Sequence, residues 1–176
     1  MMIEDLAHRD HAGASLDATH MRRCLDLAAG ALAAGETPVG ALVVRSGMVI
    51  GEGAERTRAR LDPSAHAEVE ALRAACQALG TLDLSGATLY TTVEPCVLCA
   101  YAARRVRISR VVFGTRAGTL GGVTGPFPLL TDATSMTGAP PPEVEGGVLA
   151  DECERLLAEP RHAAATPAAP PLRTPD

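Results

Sequence analysis

"ATLYTTVEPCVLCAYAARRVRISRVVFG", residues 87 to 114, passes through three kinds of backbone preference in one short stretch. Its opening, ATLYTTV (87 to 93), is rich in β-branched and aromatic side chains, which suit a pleated, half-buried surface. Pro95 cannot serve a sheet ladder and is at home where a helix begins, so it separates that strand from a helix running from Cys96 to about Arg105. RVVFG (110 to 114) then reads as a short buried strand. Strand, helix and strand in this order predict some parallel pairing, and with it an α/β layered domain.

The same alternation continues outward. Upstream, DATHMRRCLDLAAGALAA (17 to 34) has apolar residues at helical spacing, and Gly35 can close it. VGALVV (39 to 44) and MVIGEG (48 to 53) read as two strands joined by a tight turn at Ser46-Gly47. After the polar AERTRARLD, Asp62 offers an N-cap and Pro63 a first helical position, predicting a helix that lasts to Leu79 and ends at Gly80. Downstream, residues 115 to 142 form a long Gly-, Thr- and Pro-rich loop of the kind that lids a site, and VEGGVLADECERLLAE supplies a short strand and a last helix. The chain therefore divides into a flexible lead-in (1 to 15), one domain (16 to 159) and a disordered Ala/Pro-rich tail (160 to 176).

Composition narrows the function. Apolar residues are 47% and charged residues 21% of the 176, ordinary globular values. No apolar run reaches the ~18 residues of a membrane span, and MMIEDLAHRDHAGAS lacks the apolar stretch of a secretory signal, so a cytoplasmic address is expected. Five cysteines, an odd number, point to reduced thiols or metal ligands rather than a disulfide framework. The net charge is −5, every basic residue is Arg, and Tyr90, Tyr101, Phe113 and Phe127 are the only aromatics, which speaks against a polyanion as the main partner.

Two fragments carry chemistry. In AHAE (65 to 68), His66 and Glu68 stand at the tip of a predicted helix, and in PCVLC (95 to 99), Cys96 and Cys99 lie three apart at the start of another. That spacing aims both sulfurs the same way, and a helix N-terminus favours thiolate. Alone, CVLC fits a redox pair or half of a structural zinc site, and HAE fits a surface cap. If both helices start at the same edge of the sheet, the fragments merge into one His and two Cys. Those are three zinc ligands, one fewer than the four that close a structural site. The fourth position suits a water acidified by the metal, and Glu68 is placed to take its proton as general base and return it as general acid. The remaining histidines (His8, His11, His20, His162) read as solvated, and Cys24, Cys76 and Cys153 as packing residues.

Taken together, TPVGALVV, DPSAHAEVEALR, TLYTTVEPCVLCA, RISRVVFGTR and GGVLADECERLL resemble, in the same order, blocks of the cytidine deaminase superfamily, over roughly residues 20 to 158. The similarity is to the branch that holds tRNA adenosine deaminase, guanine deaminase and cytosine deaminase. It implies a three-layer cytidine-deaminase-like fold, a five-stranded mixed sheet flanked by helices. It further implies zinc on His66, Cys96 and Cys99, with Glu68 as proton shuttle, in a hydrolytic deaminase that is usually a homodimer. Val39, Val93 and the main chain at Ala67 would line the substrate slot.

The departures concern substrate. Where relatives commonly place an Asn that hydrogen-bonds the ring or ribose, this chain has Glu55, which when ionised only accepts. The tRNA branch has a basic segment after its RVVFGAR and ends in a basic helix, whereas this chain has RAGTLGGVTGPFPLL and the acidic ADECERLLAE. Arg104, Arg105, Arg107 and Arg110 cluster nearby and read as a solvated face. The expected substrate is thus a small amino-heterocycle, a free nucleobase, nucleoside or triazine-like analogue, with Phe127 of the long loop reaching the pocket. The alternatives are a tRNA adenosine deaminase acting at the wobble position, and a non-catalytic zinc or redox module.

Overall fold

The computed structural model of the chain describes residues 3–134 and 140–161, with side chains from Leu16 onward. Strand β1 (Gly40–Arg45) pairs antiparallel with both β2 (Met48–Ala54) and β3 (Ala87–Val93). Strands β3, β4 (Arg110–Thr115) and β5 (Glu143–Gly146) run parallel. The sheet order is β2-β1-β3-β4-β5, the expected five-stranded mixed sheet. Since β2 and β3 both oppose β1, they point the same way and end at one edge. The β1–β2 hairpin turns on Ser46 (φ 52°) and Gly47 (φ 76°), two left-handed residues in succession, which match the right-handed twist of the flanking strands.

Five helices are described: α1 (Ile3–Ala33), the single turn α2 (Thr57–Arg60), α3 (Ala67–Leu79), α4 (Val97–Arg105) and α5 (Ala150–Ala158). The two-residue period of the strands sorts their side chains into two cores. Ala41, Val43, Leu89 and Val111 pack with Ala67, Ala71 and Leu72 of α3 and Ala100 and Ala103 of α4. Their neighbours Leu42, Val44, Tyr90 and Val112 pack with Met21 and Cys24 of α1 and Cys153 of α5. Buried on both faces, these strands read as continuous apolar runs.

Alanines and glycines bring α3 unusually near the sheet. A Cβ on Gly53 would stand 2.1 Å from the Ala67 carbonyl oxygen, and one on Gly51 2.3 Å from that of Ala71. Both contacts are with backbone, which cannot rotate away. Gly53→Ala is therefore expected to destabilise the fold by about 1–3 kcal/mol, read as a lower denaturation midpoint. A midpoint equal to that of the parent chain would show that α3 lifts off β2 at no cost.

Several expectations are corrected. The α3 helix begins at Ala67, not at Pro63, because the Asp62 carboxylate is occupied: Oδ1 accepts from the Ser64 amide (2.8 Å) and hydroxyl (2.7 Å), closing a local turn. His66 consequently becomes the N-cap residue. The polar stretch before it contains α2, and α1 starts at Ile3, well before residue 17. The arginine cluster is not a shared solvated face. Arg104 is only 1% exposed, and Arg110 forks onto Asp17 (2.9 and 2.8 Å) and also meets Glu145. Only Arg105 and Arg107 are left outside the interior. His20 is half-buried and stacks near Tyr90, ring centroids 4.9 Å apart. Residues 162–176, including His162 and nearly all of the predicted tail, lie outside the described residues, as do the side chains of His8 and His11. No described helix is long and apolar enough to cross a membrane.

Candidate functional site

The edge at which β2 and β3 end is where α3 and α4 begin, and both helices open on a candidate metal ligand. His66 is the N-cap residue of α3 and Cys96 that of α4, both with extended backbone, and Cys99 follows one turn into α4. The His66 Nδ1 atom lies 3.6 Å from Cys96 Sγ and 3.5 Å from Cys99 Sγ, and the two sulfurs are 3.7 Å apart. A tetrahedral zinc site, with bonds of about 2.3 Å to sulfur and about 2.0–2.1 Å to nitrogen, has S···S edges of about 3.7–3.8 Å and S···N edges of about 3.5–3.6 Å. The three donors thus stand at three corners of such a tetrahedron, and the residues fit zinc. Among the described residues they form the one His/Cys/Asp/Glu group of three whose donor atoms all lie within 4.8 Å. A sulfur separation of 3.7 Å is far from the ~2.05 Å of a disulfide.

Electrostatics agree with metal-ligand character. Cys96 is pulled down to about 5 by the Cys99 side chain, by the Cys99 and Leu98 amides at the helix start and by His66, against the opposing effect of burial. Cys99 is pushed up, because it shares a proton with Cys96 and is buried beside Glu68. A cation bound by the three donors would hold both as thiolates.

Glu68 is 4% exposed, and its Oε2 lies 3.5 Å from Cys99 Sγ. Burial raises its carboxyl to about 7, opposed by its own amide and by His66. It is a group that can both take up and release a proton near neutrality.

A cavity of about 270 Å³ opens on this constellation, lined by Thr37, Val39, Glu55, His66, Glu68, Val93, Glu94, Cys96, Ala117 and Leu120. Glu55 enters it. The residue follows β2 and is 7% exposed; burial pushes its carboxyl up, opposed by the nearby Thr57 side chain, His66 and the Ala67 amide. The α2 turn beside it is pinned by the buried Glu36, whose carboxylate accepts from the amides of Arg58 (3.1 Å) and Ala59 (2.7 Å). Val39 and Val93 are among its lining residues. Ala67 contributes through its amide to Glu55, its side chain being packed in the core. Phe127 is not brought in: its ring is 65% exposed and outside the lining. Missed by sequence reasoning were Thr37, Glu94, Ala117 and Leu120. For Glu94 a signal existed, a carboxylate among the buried-looking residues just before Pro95. A larger cavity of about 610 Å³ between β2 and α3 is lined by Arg56, Arg60, Arg73, Glu52 and Glu70 among others, and contains no thiol or imidazole.

Residues 14–115 match the cytidine and deoxycytidylate deaminase zinc-binding region. The tRNA-specific adenosine deaminase of Haemophilus influenzae is 40% identical over 142 residues, 80% of each chain. The tRNA(Ile)-lysidine synthase of Deinococcus deserti is 43% identical over 143 residues, but this chain spans only 26% of its length. Among solved structures, one from a study of tRNA:A34 deaminases at the wobble position superposes with a TM-score of 0.73 at 36% identity, covering 78% of this chain and 99% of that one. Guanine deaminase from Nitrosomonas europaea superposes with a TM-score of 0.69 at 28% identity, covering 80% of this chain and 81% of that one.

Proposed function

This chain belongs to the cytidine and deoxycytidylate deaminase zinc-binding family, and we propose that it is a hydrolytic deaminase of a small amino-heterocycle: a free nucleobase, nucleoside or triazine-like analogue. His66, Cys96 and Cys99 would hold the zinc ion, which when bound would supply Lewis-acid activation of a water. Glu68 takes a proton from the attacking water and places it on the ring nitrogen next to the reacting carbon. It then passes the water's second proton to the exocyclic amine. The water's oxygen stays on the ring as a carbonyl, the C–N bond breaks, and ammonia leaves.

The observation that carries the choice of substrate is Glu55, a buried carboxylate lining the same cavity as Glu68. Ionised, it is a pure acceptor, so it favours a ring that offers N–H groups besides the amine to be lost. The ring of adenosine carries nitrogen acceptors and no ring N–H. A second reading, deamination of adenosine in tRNA, is supported by the 40% identity to the H. influenzae enzyme. Weighing against it are the net charge of −5 and the acidic first turn of α5, Asp151 and Glu152.

The test is a panel of guanine, cytosine, adenine, aminotriazines, their nucleosides where they exist, and an anticodon stem-loop, incubated with zinc-loaded protein and followed by ammonia release. Turnover of free heterocycles is expected; release from the stem-loop alone would overturn the reading. On the preferred ring, Glu55→Asn should lower kcat/KM by about 10- to 100-fold, the size of one charge-assisted hydrogen bond. It should also shift preference toward rings that present acceptors. An unchanged ranking of the panel would place Glu55 outside substrate contact.

A further inference from the structure

Residues 117 to 132, which contribute Ala117 and Leu120 to the lining of the site cavity, have as regular structure only the short 3-10 turn Gly118–Leu120 and a single β-bridge from Gly121 to Cys96. Backbone pairing fixes such a stretch at few points, here chiefly where Gly121 and Gly122 meet Cys96 and Pro95. Two buried ions hold the rest of it, one on each side of the Cys96–Cys99 pair in sequence. Glu94, 1% exposed, accepts at Oε1 from the amides of Val123 (2.9 Å) and Thr124 (2.8 Å). At Oε2 it accepts from the Thr124 hydroxyl (2.8 Å) and the Ala117 amide (3.2 Å). Arg104, also 1% exposed, donates from one guanidinium nitrogen to the carbonyls of Leu129 (2.7 Å) and Asp132 (2.6 Å). The anion gathers amides at the start of the segment, and the cation gathers carbonyls at its end. Charge-assisted bonds in a dry setting are the strong ones, and burial of each ion is tolerable only because its partners are present.

The segment is also pressed against α4. The Gly122 amide donates to the Pro95 carbonyl (2.8 Å), and a Cβ on Gly122 would stand 2.5 Å from that of Ala100. A Cβ on Gly121 would stand 2.1 Å from Glu94 Oε1. Between the Glu94 contacts lies Leu120, which lines the cavity yet is 69% exposed, as a residue at the rim must be.

We propose that Glu94 and Arg104 are positioning residues that clamp residues 117 to 132 as the outer wall of the substrate slot, and that Leu120, held at the rim by this clamp, limits the size of what the reacting ring may carry. The proposal rests on the reading of that cavity as the substrate slot. Glu94 borders the cavity, but both its oxygens are taken up by the segment, and Arg104 is outside the lining, so their loss should appear in KM and in selectivity rather than in kcat.

Leu120→Ala removes an exposed side chain and leaves the clamp intact. It should raise the ratio of kcat/KM for a nucleoside over its free base at least fivefold. Glu94→Gln keeps the shape but replaces an acceptor oxygen with a donor facing donors. It should shift the ratio the same way, raising KM at least tenfold with kcat within threefold and zinc content unchanged. Arg104→Lys, which retains a cation for the two carbonyls, should recover part of what Arg104→Met loses. A ratio within twofold of the parent for folded Leu120→Ala, or a loss in kcat at constant KM for Glu94→Gln, overturns the proposal. The clamp has a readout that needs no substrate: amide hydrogen exchange at Val123 and Thr124 should accelerate at least tenfold in Glu94→Gln, and unchanged exchange overturns it. A protein that deaminates nothing on the panel would sink the substrate reading while leaving that measurement to judge the clamp.

Discussion

Glu68→Gln is expected to purify with its zinc and to release ammonia ~10²- to 10⁴-fold more slowly than the parent chain, the range that a positioned proton-transfer group contributes. The argument starts from the cost of the residue. A carboxyl 4% exposed at the N-terminal turn of α3 gives up most of its hydration, and burial accordingly lifts it to about 7. A residue needed only as a helix-start anion would sit in water, where its charge costs nothing. Glutamine keeps the volume and the planar head but has no proton to exchange, so the packing of α3 and the ligand triangle persist while the shuttle is lost. Metal analysis and ammonia release on one preparation separate these outcomes. A variant with full zinc and turnover within tenfold of the parent would reduce Glu68 to a structural role and assign the proton transfers to another group.

Much of this site was legible because its logic is local. Cys96 and Cys99 are fixed relative to each other by one turn of helix, and Pro95 announces where that helix begins. His66 joins them through a topological consequence rather than a local one: β2 and β3 share a direction because both oppose β1. The errors came where local preference competes with partners remote in sequence. Asp62 and Pro63 look like a helix start, but Ser64 closes a turn on Asp62 first. Arg104 looks solvated among its neighbours, yet its partners are carbonyls about 25 residues away, in a loop whose path no periodicity encodes. The same holds for Leu120 and Phe127, two apolar residues of one loop with similar exposure, of which only the first meets the cavity. Glu55 was picked out by its departure from a family pattern, and its burial beside Ala67 and Thr57 is tertiary information.

Cys99→Ala should lose stoichiometric zinc and lower turnover further than Glu68→Gln does, since it removes the activating charge and leaves Glu68 with no water of suitable acidity to deprotonate. The fold should survive. Its two cores form on both faces of the sheet from residues other than the three ligands, and the ligand triangle lies at the sheet's edge. Zinc nonetheless binds only the folded arrangement, because His66 and Cys96 are thirty residues apart in sequence. At hundredfold excess over its Kd an ion adds about 2.7 kcal/mol to stability. At ~2–4 °C per kcal/mol for a chain of this size, that is about 5–10 °C in Tm. The parent chain should show this increment and lose it to a chelator, with readdition of zinc restoring both Tm and turnover. Cys99→Ala should show no increment, while Cys76→Ala, altered on α3 away from the triangle, should behave as the parent does. A redox pair makes the opposite forecast: indifference to chelator and sensitivity to the thiol–disulfide poise. If Tm and ammonia release both ignore chelation, the geometry of His66, Cys96 and Cys99 has another purpose, and the deaminase reading loses the charge on which each of its proton transfers depends.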